Sequence, residues 1–402
     1  MIFGFNIEKI RKDFPVLEKG IIYFDNACMS LKPRQVTNKV LEYYENYPAC
    51  SGRSAHKLAR KVDMEVANAR DEVRKLINAG SAAEIVFTRN TTEGINLIAN
   101  AIGLEKGDEV IISDKEHNSN LIPWLKLEKE VGINLVVVES NEDNTFNLDN
   151  LKKSFGEKTR MVSVVQRSNL DGITNPIKEI VEIAHGNGAL VLVDGAQSVP
   201  GMKINVRDLD VDFLAFSGHK MCGPTGTGVL YGKKELLEKM SQFIVGGETV
   251  VDSTYDSYKM EELPMKFEAG LQNYAGIIGL GEAARYLRKV GLGKIGKHET
   301  KLNKLMTELL ADEEKVEIIG PKDAEKRGGI FSFNIKGMDP HHVSRILSTG
   351  SSIMTRSGAH CVHSWFNKKK IKGSVRASLY FYNTEEEVKK FVEEIKKIVQ
   401  LA

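Results

Sequence analysis

At 402 residues the chain is long enough for two or three domains with sizeable cores. Its 56 Lys and Arg nearly balance 54 Asp and Glu, for a net charge of +2, and 42% of residues are hydrophobic, so no overall field favours nucleic acid or an anionic membrane. No apolar run approaches the roughly 20 residues of a membrane span, MIFGFNIEKIRKDF does not read as a secretory signal, and four scattered cysteines (Cys28, Cys50, Cys222, Cys361) form neither a CxxC nor a metal-ligand spacing; a cytoplasmic protein with reduced thiols is expected.

The opening segment to Leu17 reads as a short amphipathic helix, and IIYFDNACMSLKP follows as a strand and a turn. Residues 33–46 and 58–78 carry helical periodicity, with YPACSGRSAHK looped between them. From Ala83 the strands EIVFT, DEVIIS, INLVVVES, RMVSVVQ and ALVLVD alternate with the helices TTEGINLIANAIG, NSNLIPWLKLEKEVG, NLDNLKKSF and NPIKEIVEIAHGNG; VDFLAFS is a further strand. Uniformly apolar strands separated by helices predict a parallel sheet buried on both faces, with ligands at the carboxyl ends of its strands. After Gly281 the texture becomes α+β: a long helical run, then VEIIG, GGIFSFNI, HHVSRILSTG, IMTRSGAHC, VRASLYFYN and a final charged helix. The expected division is a large domain over 18–280 and a small α+β domain made of 1–17 and 281–402.

Several strand ends carry chemistry. The run 211–216 stops at SGHK, which leaves Lys220 where a buried strand ends; it is either a solvated loop lysine or a partly desolvated amine suited to a Schiff base. Ser217 and His219 beside it are able to hydrogen-bond an anion. Asp194 ends ALVLVD, either as a cap or as the partner of a protonated ring nitrogen, with Gln197 close by. FTRNTTEG joins a strand to a helix, so Thr91 and Thr92 stand where backbone N–H groups make a phosphate site. His117 and Asn169 reach the same edge, His117 as a structural residue or as a stacker on a flat ligand. Phosphate binders, a stacker, an acid and an amine on one rim describe a site for pyridoxal 5′-phosphate (PLP).

These motifs resemble the fold-type I PLP enzymes of the class V aminotransferase family, and within it the SUF-type cysteine desulfurases and selenocysteine lyases. The resemblance runs through YFDNACMSLKP, FTRNTTEGINLIA, EHNSNLIPW, VDGAQSVPG, DFLAFSGHKMCGPTGTGVLYG, GGETV, KFEAG, TRSGAHC and VRASLYFYNT. It implies an α/β fold whose large domain holds a mainly parallel seven-stranded sheet flanked by helices, a smaller α+β domain, and a homodimer. It also implies Lys220 as the Schiff-base lysine, His117 as the ring stacker and Asp194 on the pyridine nitrogen. Asn169 and Gln197 would contact the ring O3′, and Thr91, Thr92, Ser217 and His219 the phosphate. Arg376 would clamp the substrate carboxylate, Arg356 and Asn169 would also bind the substrate, and Cys361 would be the nucleophile that takes sulfur as a persulfide. Cys361 also has Arg356 and His360 near it in sequence, a setting that favours a thiolate, whereas Cys28, Cys50 and Cys222 read as ordinary thiols.

The function implied is conversion of L-cysteine to L-alanine with sulfur passed to Cys361, for iron–sulfur cluster assembly or another sulfur-transfer pathway through an acceptor protein. Two alternatives stand beside it: a selenocysteine, cysteine-sulfinate or C–S lyase that dispenses with Cys361, and a non-catalytic sulfur-relay partner. The chain departs from the family pattern in CSGRSAH, where Gly52 replaces a histidine while Arg53 and His56 remain. It departs again at Gln166, where the family has a histidine, and at Leu271, where a threonine would reach the partner subunit's phosphate.

Overall fold

The computed structural model describes residues 6–52 and 54–401. Among these, seven strands form the main sheet: β1 (Ile85–Thr88), β2 (Glu109–Ser113), β3 (Asn134–Val138), β4 (Thr159–Val165), β5 (Leu190–Asp194), β6 (Phe213–Ser217) and β7 (Gly228–Gly232). They lie in the order β1-β7-β6-β5-β4-β2-β3, and only β7 runs against the rest.

The pleat of each strand sends alternate residues to two separate cores. In β2, Ile111 joins a core with Val73, Ile180 and Leu287, while Val110 and Ile112 join the opposite one with Ile98 and Trp124. β6 divides likewise, with Leu214 and Phe216 on one face and Phe213 and Ala215 on the other. A sheet buried on both faces is why these strands read as continuous apolar runs rather than alternating ones.

The helix Tyr274–Val290 packs on Lys57–Ile77 and runs unbroken through Gly281, where the sequence reading ends the large domain. The glycine there serves close approach: a Cβ would sit 2.4 Å from the Ala69 Cα. The chain turns at Gly291, whose φ of +98° separates this helix from Leu292–Leu309.

Beyond that turn, β8 (Val316–Ile319), β9 (Ile330–Ile335), β10 (Arg356–Gly358) and β11 (Ser374–Ser378) form an antiparallel sheet in the order β8-β9-β11-β10. Leu302, Phe331, Phe333, Val343, Phe391 and Ile395 make its core. Ile22 and Phe24 join this core, and Ile22–Tyr23 pairs in parallel with Ile353–Met354. The opening helix is Ile7–Arg11, followed by a 3-10 turn at Pro15–Lys19; residues 1–5 of the expected helix lie outside the described residues. Arg11 pairs with Glu387 at 2.8 Å and Phe14 meets the Tyr382 ring at 4.6 Å, so the opening segment is tied to the end of the chain. No helix among the described residues is long and apolar enough to cross a membrane.

Candidate active site

The carboxyl ends of β1, β2, β4, β5 and β6 open into one cleft with a cavity volume of about 230 Å³. Thr91, Thr92, His117, Asn169, Asp194, Gln197, Ser217, His219 and Lys220 all line it, as do Arg356, Cys361 and Arg376 from the second sheet and its loops.

At one end, β1 leads into the helix Thr91–Ala101, capped by the Asn90 side chain, which accepts from the Glu93 N–H at 2.9 Å. Gly228 of β7 lies opposite Thr88, and a Cβ there would meet the Asn90 Cα at 2.5 Å. Only glycine lets the two strands bring this helix end to the rim. Ser217 Oγ accepts from the Thr91 N–H at 2.8 Å and lies 2.6 Å from Thr91 Oγ1. Thr92 Oγ1 lies 2.7 Å from Ser119 Oγ. Hydroxyls clustered at a helix N-terminus are a donor set for a phosphate dianion.

His117 caps the next helix, Asn118–Glu130, with its Nδ1 accepting from the Ser119 N–H at 3.1 Å. That bond leaves Nε2 as the protonated nitrogen of a neutral ring. Burial, then the charges of Lys220, Arg376 and Arg356, pushes the His117 pKa down to about 3. Beside it the buried Glu116 carboxylate accepts from the Val165 N–H at 3.0 Å and from Asn120 Nδ2 at 2.7 Å, locking this helix to β4.

Asp194, the last residue of β5, is buried and accepts from the Ala196 N–H at 2.9 Å. Burial raises its pKa and the Lys220 charge opposes the rise. Lys220 ends the short turn after β6; burial lowers its pKa and Asp194 works against that. Gln197 Nε2 donates to the Ala27 carbonyl at 2.7 Å. The His219 carbonyl accepts from Lys32 Nζ at 3.0 Å, and burial, then Lys220, pushes its imidazole pKa down to about 4.

Across the cleft, Arg356 of β10 and Arg376 of β11 are directly paired in register. Asp25 answers their like charges, with Oδ1 3.5 Å from Arg376 Nη2 and Oδ2 3.9 Å from Arg356 Nη1. Arg376 Nη1 donates to the Asn169 carbonyl at 3.0 Å, while its Nε is buried without a protein partner. A buried guanidinium with an unused donor calls for an anionic ligand.

Cys361 sits on a turn in which His360 (φ +48°) and Cys361 (φ +60°) both adopt the left-handed region, which residues other than glycine seldom occupy. Three hydrogen bonds over-determine it. The Asn118 N–H donates to the Cys361 carbonyl at 2.7 Å, Asn169 Nδ2 donates to the His360 carbonyl at 2.7 Å, and His360 Nε2 lies 2.8 Å from Ser374 Oγ. The thiol is thus fixed to the elements that carry His117 and Asn169.

Sequence reasoning missed Asp25, Ser119 and Cys28, the last set aside there as an ordinary thiol. Ala27, Cys28 and Ser119 also line the cleft, and Arg356 Nη1 donates to Cys28 Sγ at 3.0 Å. Gly52, Gln166 and Leu271 are not among the lining residues; Gly52 donates its N–H to Asp63 at 2.7 Å, Gln166 is buried with Oε1 unpartnered, and Leu271 is 71% exposed. Arg53 lies outside the described residues.

Comparison with known proteins extends over the whole chain. It is 42% identical to a probable cysteine desulfurase of Halalkalibacterium halodurans over 95% of both chains. It is 38% identical to the cysteine desulfurase of Haloferax volcanii, over 97% of this chain and 96% of that one. Among solved structures it is similar to the apo cysteine desulfurase of Thermococcus onnurineus, with a TM-score of 0.94 and 40% identity over 98% of each chain. The Escherichia coli cysteine desulfurase CsdA (S-sulfonic acid) gives a TM-score of 0.93 at 33% identity over 99% of each. The model of the class V aminotransferases matches residues 22–391, and the chain belongs to that family.

Proposed function

We propose that this chain is a PLP-dependent cysteine desulfurase, converting L-cysteine to L-alanine and taking the sulfur onto Cys361 as a persulfide. The observation that carries it is the presence of Cys361, on its braced left-handed turn, in the same cleft as Lys220, Asp194 and the paired arginines.

The donor set fits PLP. The hydroxyls of Thr91, Thr92 and Ser217 at the helix N-terminus suit its phosphate, the buried Asp194 carboxylate a protonated ring nitrogen, the neutral His117 imidazole the ring face, and Gln197 and Asn169 the ring hydroxyl. When bound, PLP supplies an aldehyde to be captured by an amine and a sink for the electrons released at the substrate Cα.

The chain's own residues do the rest. Arg376 holds the substrate carboxylate, with its unpartnered Nε as the vacant donor. Lys220, kept from the full basicity of a solvated lysine by burial, moves the proton at the substrate Cα. The Cys361 thiolate attacks the substrate sulfur; the Cβ–S bond breaks and an S–S bond forms on Cys361. The remaining fragment takes up protons and leaves as alanine.

The sulfur then passes to an acceptor protein, for iron–sulfur cluster assembly or another sulfur-transfer pathway. The working form is a homodimer. Exposed Leu271 and Ile244, which border a second cleft, support an apolar contact with another copy.

Product analysis of the PLP-loaded protein with L-cysteine tests this reading. Alanine is expected. Pyruvate with ammonia would replace it by a β-eliminating lyase, and no turnover by a sulfur-relay role.

A further inference from the structure

Among the described residues, two of the four thiols line the cleft, Cys28 and Cys361. The others are set apart: Cys222 is buried, which pushes its thiol pKa up to about 12, and Cys50 is exposed in the loop before the helix Lys57–Ile77. Cys28 lies in the turn after Ile22–Tyr23 and is half-buried. Its sulfur accepts a hydrogen bond from Arg356 Nη1 at 3.0 Å, and Asp25 holds the same nitrogen at 3.9 Å. An electropositive, partly exposed setting of this kind is where reactive thiols are found.

Arg356 also ties Cys28 to the strand that leads to Cys361. Arg356 begins β10, and Cys361 follows on the loop that leaves it. The intervening residues span at most about 17 Å when fully extended, and the left-handed turn at His360 and Cys361 shortens that path. Lys220 lies within electrostatic reach of both sulfurs.

We infer that Cys28 is a second sulfur carrier, which takes the sulfane sulfur from Cys361 and holds it as its own persulfide. This rests on the desulfurase reading above. In the transfer, the Cys28 thiolate attacks the outer sulfur of the Cys361 persulfide. A bond forms between Cys28 Sγ and that sulfur as the bond to Cys361 Sγ breaks, and the electron pair leaves on Cys361 as a thiolate. The sulfane sulfur keeps its proton, one S–S bond replaces another, and no oxidant or reductant is consumed. Cys361 is then free for another substrate before any acceptor arrives.

The test is a burst experiment on the PLP-loaded protein with a few equivalents of L-cysteine and no other thiol, quenched before free cysteine strips the persulfide. Alanine is counted, and persulfides are trapped by alkylation and mapped by peptide mass spectrometry. In wild type a second equivalent of alanine is expected, with persulfide on both Cys28 and Cys361. Cys28→Ser and Cys28→Ala should each halve the burst and leave persulfide on Cys361 alone, while Cys361→Ser should carry none at either position. Persulfide confined to Cys361 in wild type, with a burst no larger than that of the Cys28 variants, would overturn the relay and leave the desulfurase reading standing. Persulfide on Cys28 in Cys361→Ser would overturn it differently, since Cys28 would then take sulfur from the substrate itself. No alanine from wild type would overturn both readings together.

Discussion

Arg356 and Arg376 stand directly opposite each other on adjacent antiparallel strands, and Asp25 reaches both guanidinium groups. The two are not equivalent. Arg376 is buried and keeps an unused Nε donor, whereas Arg356 is more exposed and already donates to Cys28. Arg376→Lys keeps the charge but loses the fork, so kcat/KM for L-cysteine should fall by about 10- to 100-fold, equivalent to ~1.5–3 kcal/mol for a hydrogen bond to a charged group. Arg356→Lys should fall less. Equal losses in steady-state kinetics would contradict this division of labour.

The turn bearing Cys361 depends on the Asn169 carboxamide, which donates to the His360 carbonyl at 2.7 Å. Asn169→Ala frees that carbonyl and lets the thiol drift. A displacement of about 1 Å typically costs about 10²-fold in rate. Alanine formation should therefore drop by about that factor while the protein still takes up PLP, as read from its absorbance. Unchanged turnover would show that the turn is held without Asn169.

Acid should reveal His360. Burial, then the two arginines, holds its pKa near 2, against 6.5 when solvated. Below pH 6.5 the unfolded chain binds a proton there that the folded chain refuses. The stability tied to this site is thus intact above pH 6.5 and is lost as pH falls toward 2, by about 1.4 kcal/mol per pH unit. In His360→Asn that loss is absent, so the stability gap between wild type and variant should narrow by about 2 kcal/mol between pH 6.5 and pH 5. Denaturant midpoints at the two pH values give the answer, and a gap independent of pH would contradict it.

Away from the cleft, Arg70 and Glu268 form a buried bidentate pair at 2.7 and 2.8 Å, and Glu268 also accepts from the Phe87 N–H at 2.7 Å. This network seats β1, which aims Thr91 and Thr92 at the rim. Arg70→Met leaves the carboxylate buried and unpaired, which should cost about 3–5 kcal/mol by urea denaturation. A loss under about 1 kcal/mol would mean that water replaces the guanidinium.

Much of this was legible in the sequence because the cues were local. The parallel strands read as apolar runs, since both of their faces are buried, and each delivers its polar residue at the end where the run stops. Lys220, Asp194 and Thr91 could be placed on one rim from that alone. The rest depends on residues distant in sequence. Asp25 and Cys28 come to the arginines because Ile22–Tyr23 pairs with Ile353–Met354 and Asp25 bridges to Ser378, contacts that no local pattern announces. The change of composition after Gly281 is a local cue, but the close packing that its missing Cβ allows on Ala69 is not. The His360–Cys361 turn has no glycine to mark its left-handed backbone, so only the fold reveals it.

The measurement that tests the central claim most directly is a single turnover of L-cysteine by wild type and Cys361→Ala, each loaded with PLP to the same absorbance. Wild type should release alanine and gain the mass of one sulfur, while the variant should bind the substrate and yield neither product. Alanine at the wild-type rate from Cys361→Ala would contradict the claim that Cys361 takes the sulfur.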